Sequence, residues 1–258
     1  MAFTGKVALV TGGASGMGRT TALQMANAGA KVAIFDMSDE NLEKTAAESP
    51  NISAYKCDVT DLEQVKTNVA RVEAELGPID RLTQCAAIMP GDTIKNMSIE
   101  LTNKQMLINY CGTVNMVKTV WDLMEPRGGG QIVVFGSMAG SVLTHGLGGY
   151  SATKAATNVF MEVLVRENPE SPVQFLLVCP PMVNTPLVAQ AVDKGPNSMK
   201  GAVANNRMSQ SEDIIAAVEK ALDKGDWRVT PGEAGIMMWI RRFSPALLWK
   251  LMEKANAT

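Results

Sequence analysis

The sequence predicts an α/β fold: one doubly wound, seven-stranded parallel sheet with helices on both faces. Three observations predict it. Short β-branched runs alternate with longer stretches of helical apolar period along the chain, the pattern of βαβ units. The runs are nearly continuous in apolar character, as strands buried on both faces are. No Gly-, Pro- or Ser-rich linker divides the 258 residues, so one domain with right-handed crossovers is expected.

In chain order, strands are expected at Val7–Thr11, Lys31–Asp36, Ile52–Asp58, Arg81–Cys85, Gln131–Ser137, Gln174–Cys179 and Trp227–Thr230. Helical patterns lie between them at 17–28, 39–48, 61–76, 100–125, 148–167 and 211–224. Residues 186–210 contain Gly195-Pro196 and Gly201 and read as an irregular insertion after the sixth strand. Such insertions close over ligands in these folds. Residues 1–235 form the expected body, and 236–258 an amphipathic tail in which Pro245 starts a second helix at its first turn.

Composition excludes several classes. A net charge of −2 argues against wholesale nucleic-acid binding, which needs a basic surface. A single histidine leaves little for a His-based metal site or a Ser-His-Asp triad, so no metal is expected. Cys57, Cys85, Cys111 and Cys179 form no CxxC and lie in or beside apolar runs. They read as reduced core residues of a cytoplasmic protein. No cleavable apolar leader precedes Val7, and no window holds 18 consecutive apolar residues. The charge is uneven: residues 236–258 carry four basic groups and one acid, or +3, which leaves −5 on the remainder.

The first strand runs into Thr11-Gly12-Gly13-Ala14-Ser15-Gly16-Met17-Gly18, and a helix follows. Glycines allow a tight turn and a close approach to a pyrophosphate, and the helix N-terminus offers free N–H groups. Asp36 ends the second strand 18 residues after Gly18, where a carboxylate accepts hydrogen bonds from an adenosine ribose and repels a 2′-phosphate. The alternative is that it only caps the following turn. With Met37 next and no charge at Gly13, NAD is favoured over NADP. Asp58, before Val59, fits either the adenine edge or a helix N-cap region.

Tyr150 and Lys154 form Y-x-x-x-K in a helical pattern, so both side chains share one face. An ammonium beside a phenol favours the phenolate and lowers its pKa from about 10, which suits proton exchange with an alcohol or carbonyl. Thirteen residues before Tyr150, Ser137 ends the fifth strand, where its hydroxyl can hold a substrate oxygen.

These motifs together resemble those of the classical short-chain dehydrogenases/reductases, over nearly all of residues 3–232. The resemblance implies a Rossmann-type fold and an Asn-Ser-Tyr-Lys tetrad at Asn109, Ser137, Tyr150 and Lys154. It makes Tyr150 the general acid/base, with Ser137 orienting the substrate oxygen. Lys154 would bind the nicotinamide ribose, and Asn109 would help hold a water that relays protons. It also implies cofactor contacts from Gly12, Ser15, Gly16, Met17, Gly18, Asp36, Met37, Asp58 and Val59. Further contacts would come from Cys85, Ala86, Ala87, Pro180, Val183 and Thr185. Two motifs depart from the family pattern: Gln84-Cys85-Ala86-Ala87 stands for N-N-A-G, and Pro181 for a glycine. The first removes an Asn that ties central strands; the second fixes φ and removes an N–H. Adjusted cofactor binding is expected.

Met89, Met138, Met182, Met199 and Met208 fall where the resemblance puts the substrate, as an adaptable apolar wall. His145 reads as a residue at the cleft mouth. The expected function is an NAD-dependent alcohol dehydrogenase or carbonyl reductase acting on a small apolar substrate, such as a long-chain, alicyclic, terpenoid or steroid compound. Two alternatives remain open on the same fold: a non-enzymatic NAD-sensing or membrane-associated binding protein, and an NAD-retaining isomerase or lyase. The family's pairing of its long helices implies a homodimer or homotetramer. The tail, with Trp239, Phe243 and Trp249 beside basic residues, fits packing over the cleft or a neighbouring subunit, or peripheral contact with a membrane.

Overall fold

The computed structural model describes Phe3 and residues 6–205 and 207–257. Seven strands, β1 (Val7–Thr11), β2 (Lys31–Asp36), β3 (Ile52–Lys56), β4 (Ile79–Gln84), β5 (Gly130–Phe135), β6 (Val173–Val178) and β7 (Arg228–Val229), form one sheet. Its order is β3-β2-β1-β4-β5-β6-β7, and every pairing is parallel. The order reverses between β1 and β4, so a crevice opens at the carboxyl ends of those two strands.

Both faces are covered, which is why the strands are apolar at successive positions. On one face lie α1 (Gly16–Asn27), α2 (Asp39–Ala46) and α9 (Ser211–Lys224). They bury Met25 and Ala26, Leu42, and Ile214 and Val218 respectively. On the other lie α3 (Leu62–Glu75), α5 (Gly112–Met124) and α6 (Gly148–Glu167), with Val65, Val69, Val120 and Met161 in the largest core cluster. Side-chain caps start α2 and α3: Ser38 Oγ accepts from Asn41 N, and the Asp61 carboxylate from Glu63 N and Gln64 N. Arg81 of β4, 3% exposed, pairs with Glu219 of α9 across 2.5 Å.

Three segments differ from the sequence expectation. The continuous helix at 100–125 is instead α4 (Ile99–Met106), a π-helical turn at Leu107–Cys111, and α5. In that turn the Asn109 carbonyl accepts from the Thr113 hydroxyl at 2.7 Å and the Thr157 hydroxyl at 3.4 Å. Such side-chain competition for a carbonyl disturbs the α-ladder. Residues 186–204 are not irregular: α7 (Pro186–Val192) and α8 (Asn197–Ala204) flank Gly195-Pro196. The two strong breakers mask short helices on either side. The strands β3 to β7 are also offset by one or two residues from the expected bounds, at one end or both. The tail forms a helical hairpin, α10 (Ala234–Phe243) and α11 (Pro245–Ala257).

Candidate active site

The glycine loop after β1 forms the floor of the crevice. Gly12 has φ +61°, and a Cβ there would stand 3.0 Å from Ala86 N. A Cβ on Gly18 would meet Gly12 O at 2.2 Å, so α1 could not start so close to the loop with any larger residue. The Asp36 carboxylate accepts from Ala14 N (3.3 Å), Met37 N (2.8 Å) and Ser38 N (3.2 Å). It therefore both holds the turn and lines the groove. Asp58 accepts from the Thr60 amide and hydroxyl, at 2.9 and 2.7 Å.

This groove, about 480 Å³, is lined by Gly12, Ser15, Gly16, Met17, Gly18, Asp36, Met37, Asp58, Val59, Cys85, Ala86, Ala87 and Thr185, all singled out from the sequence. It also takes in Lys104, Ile108 and Gln190, which the sequence did not mark. Gln190 accepts from Met89 N at 2.9 Å and ties α7 to the loop after β4. A contact of that kind carries no local sequence signal.

A second cavity of about 400 Å³ shares Met17, Cys85, Ala87, Thr185 and Leu187 with the groove, so the two are continuous. Ser137, Tyr150, Lys154, Pro180 and Val183 line it. Met89, Met138, Met182 and Met199 are in its wall, together with Met237 and Met252 from the tail hairpin. Met208 packs on the same apolar cluster without lining the cavity. His145 lies outside the lining and stacks on Trp249 at 5.4 Å.

Sheet and helix geometry bring the catalytic candidates together. Ser137 leaves β5 and its Oγ accepts from Ala139 N at 3.0 Å. Asn158, one turn beyond Lys154 on α6, clamps it: Oδ1 accepts from Ser137 N and Nδ2 donates to Ser137 O, at 3.4 and 3.0 Å. Gly136 makes room, since a Cβ there would reach Asn158 Oδ1 at 2.1 Å. Asn158 escaped the sequence reading, although its i+4 spacing from Lys154 puts it on that face. Lys154 Nζ donates to Phe135 O at 2.6 Å and stands 5.9 Å from the Tyr150 ring centroid. The Asn109 side chain accepts from Ile88 N (2.8 Å) and donates to Ile88 O (2.9 Å) and Thr153 Oγ1 (3.0 Å).

The Y-x-x-x-K spacing predicts a lowered tyrosine pKa. The protein's own groups do the reverse. Burial pushes the Tyr150 phenol up to about 12, against a smaller downward pull from the Ser137 hydroxyl. Burial likewise pushes Lys154 down to about 8. The ammonium is turned to a main-chain carbonyl and surrounded by apolar walls, so desolvation outweighs its attraction for the phenolate. Burial also raises the Cys85 thiol to about 12.

The profile of the short chain dehydrogenase family matches residues 6–195. The chain belongs to that family of oxidoreductases. An acetoacetyl-CoA reductase of Shinella zoogloeoides is 33% identical over 189 residues, covering 73% of this chain and 78% of that enzyme. A 2,3-dihydro-2,3-dihydroxybenzoate dehydrogenase of Bacillus subtilis (strain 168) is 31% identical over 228 residues, 83% of this chain and 87% of the relative. The fold matches a crystallised short chain dehydrogenase/reductase from Burkholderia phymatum in complex with NAD. The TM-score is 0.83 at 22% identity, over 97% of this chain and 96% of that one.

The two departures of this dehydrogenase from its family's motifs have local answers. Gln84 replaces the strand tie: the Thr11 hydroxyl donates to Gln84 Oε1 at 2.6 Å, and Gln84 Nε2 donates to Thr113 Oγ1 at 3.4 Å. Thr11 Oγ1 in turn accepts from Cys85 N and Ala86 N, both at 3.1 Å. At Pro181 the neighbouring groups carry the pairing, with Pro180 O accepting from Met138 N and Met182 O from Ser209 N.

Proposed function

We propose that this protein is an NAD-dependent alcohol dehydrogenase or carbonyl reductase for an apolar substrate, with Tyr150 as general acid/base. One observation carries the reading: Ser137, Tyr150 and Lys154 meet where a glycine-floored groove opens into a methionine-walled cavity. The groove fits the cofactor. Gly12 and Gly18 let the loop close on Ala86 and on the start of α1, where any Cβ would strike backbone, so α1 presents its N-terminal amides to the groove for a pyrophosphate, and Asp36 faces the groove with no basic neighbour at 13 or 37. Thr185 and Val183 are proposed for its phosphate and carboxamide. When bound, NAD supplies the hydride acceptor or donor.

The chain's residues do the rest. In reduction the protonated Tyr150 gives its proton to the developing alkoxide while Ser137 holds that oxygen. In oxidation the phenolate takes the alcohol proton. Lys154, fixed to Phe135 O, turns its remaining donors to the ribose, and Asn109 is a strut between the loop after β4 and α6. The cavity wall supports an apolar body of substrate, with the exposed Arg207 and Glu233 at its edge. The unpaired cysteines suit a reducing, cytoplasmic setting. The exposed apolar side of α6 supports a homo-oligomer.

The test is absorbance at 340 nm with NAD and alcohols sorted by chain length and ring content. The expectation is turnover on apolar secondary or primary alcohols that Tyr150→Phe removes while NAD still binds. A Tyr150→Phe protein that binds NAD and keeps near-normal turnover overturns the mechanism.

A further inference from the structure

The tail hairpin has two apolar sides, and one of them is left uncovered by the described residues. Its inner side is docked. Ala234 and Leu248 are buried, Met237 and Met252 enter the cavity wall, and Trp249 stacks on His145. Asn256 fastens the end of α11: its carbonyl accepts from Asn197 Nδ2, its Oδ1 from Ser198 N, and its Nδ2 donates to Thr144 Oγ1. The outer side carries Ile236, Trp239, Phe243, Leu247 and Leu251, from 40% to 66% exposed. These are five of the thirteen large apolar side chains exposed among the described residues, within one short stretch.

Spacing makes each set a stripe. Ile236, Trp239 and Phe243 follow i, i+3, i+7 along α10, and Leu247 and Leu251 follow i, i+4 along α11. Lys250 and Lys254 fall on the same side of α11 as the two leucines, and Arg242 is exposed beside the α10 stripe. Arg241, Arg242, Lys250 and Lys254 form no ion pair among the described residues. The tail is +3 while the rest of the chain is −5.

We infer that the outer side of the α10–α11 hairpin docks the protein on an anionic lipid surface. Apolar residues interleaved with unpaired cations match a headgroup boundary. Aromatic rings and leucines enter it, and lysines reach back to the phosphates. A second copy of the same tail would set like charges against each other and bury cations without counter-charges. No helix among the described residues is long and apolar enough to cross a membrane, so the contact is peripheral. Because the same helices wall the cavity, a docked hairpin puts the binding site next to the lipid that dissolves an apolar substrate. That last step rests on the dehydrogenase reading; the docking does not.

The test is flotation of the purified full-length protein with phosphatidylcholine vesicles, with or without roughly 30% phosphatidylglycerol, combined with light scattering in solution. Each cation near an anionic leaflet strengthens binding about fivefold. The expectation is flotation with the anionic vesicles only, weakened about 25-fold in Lys250→Gln/Lys254→Gln and lost in Trp239→Glu/Phe243→Glu. The solution mass and NAD affinity should stay unchanged. Flotation that is absent, or equal on both vesicles, overturns the inference. So does a Trp239→Glu/Phe243→Glu protein that still floats, or that breaks up an assembly in solution, since the face then belongs to a second copy.

Discussion

Burial holds both Tyr150 and Lys154 toward their uncharged forms, and this has a measurable cost. The Lys154 pKa is lowered to about 8 from an ordinary value of 10.5. Between those values the unfolded chain binds more protons than the native one, so this lysine makes the protein more stable as pH rises from 8 to 10. Below pH 8 the charged ammonium is buried at a loss. Lys154→Met should therefore be more stable than the parent at pH 7, with the advantage shrinking toward pH 10, while turnover falls. Thermal denaturation at the two pH values checks it, and a pH-independent difference would refute the assignment of the cost. At Asp36 one carboxylate accepts three main-chain amides and faces the groove. Hydrogen bonds to a charged acceptor contribute about 1.5–3 kcal/mol. Asp36→Ala should weaken NAD binding about 10-fold or more, narrow its preference over NADP, and lower stability. Titration with both cofactors reads this directly.

At the scale of elements, the sequence was legible where local period and burial agree. The strands are apolar because both faces of the sheet are covered, and the Gly12–Gly18 loop and the Tyr150/Lys154 spacing are local facts. The π-turn at Leu107–Cys111 was not legible. No Gly or Pro marks it, and the Asn109 carbonyl is shared with Thr113 and with Thr157, 48 residues away. The same turn seats Asn109, whose side chain is 0% exposed and bridges Ile88 to Thr153. Asn109→Ala leaves buried donors and acceptors unpaired, at about 1–3 kcal/mol each. It should lower stability by a few times that of a surface change and loosen the loop after β4, read as faster amide exchange at Ile88. The tail shows the same limit. Its amphipathic pattern is visible in sequence, but that Met237 and Met252 close a cavity whose other lining residues run from Met17 to Glu233 is a tertiary fact. Leu248 is the buried anchor of α11. Leu248→Ala should undock that helix before the sheet feels it, because α11 can open locally. Amide exchange should rise in α11 and α8 and stay unchanged in β1–β6.

For the whole molecule, α6 links the site to the surface. Tyr150, Lys154 and Asn158 occupy one side, and Val159 and Val163, 61% and 46% exposed, the other. Beside them Tyr110 and Phe160 meet edge to face at 6.1 Å, and a shallow hollow of about 550 Å³ runs between α5 and α6 past Trp121. Exposed apolar residues on a helix that also carries the proposed catalytic groups are costly for a monomer and useful for an oligomer. Pairing with a second copy removes them from water and stiffens the helix that sets the Tyr150 position. Val159→Glu/Val163→Glu puts two carboxylates on that face of each copy, so the paired arrangement becomes self-repelling. The variant should elute as a smaller species by light scattering. Its Tm should lose the dependence on protein concentration that a folded oligomer has, and turnover should fall with NAD affinity little changed. A parent protein that is already monomeric at micromolar concentration, or a variant of unchanged mass, would show that α6 faces solvent and that Tyr150 is held by Ser137, Asn158 and the sheet alone.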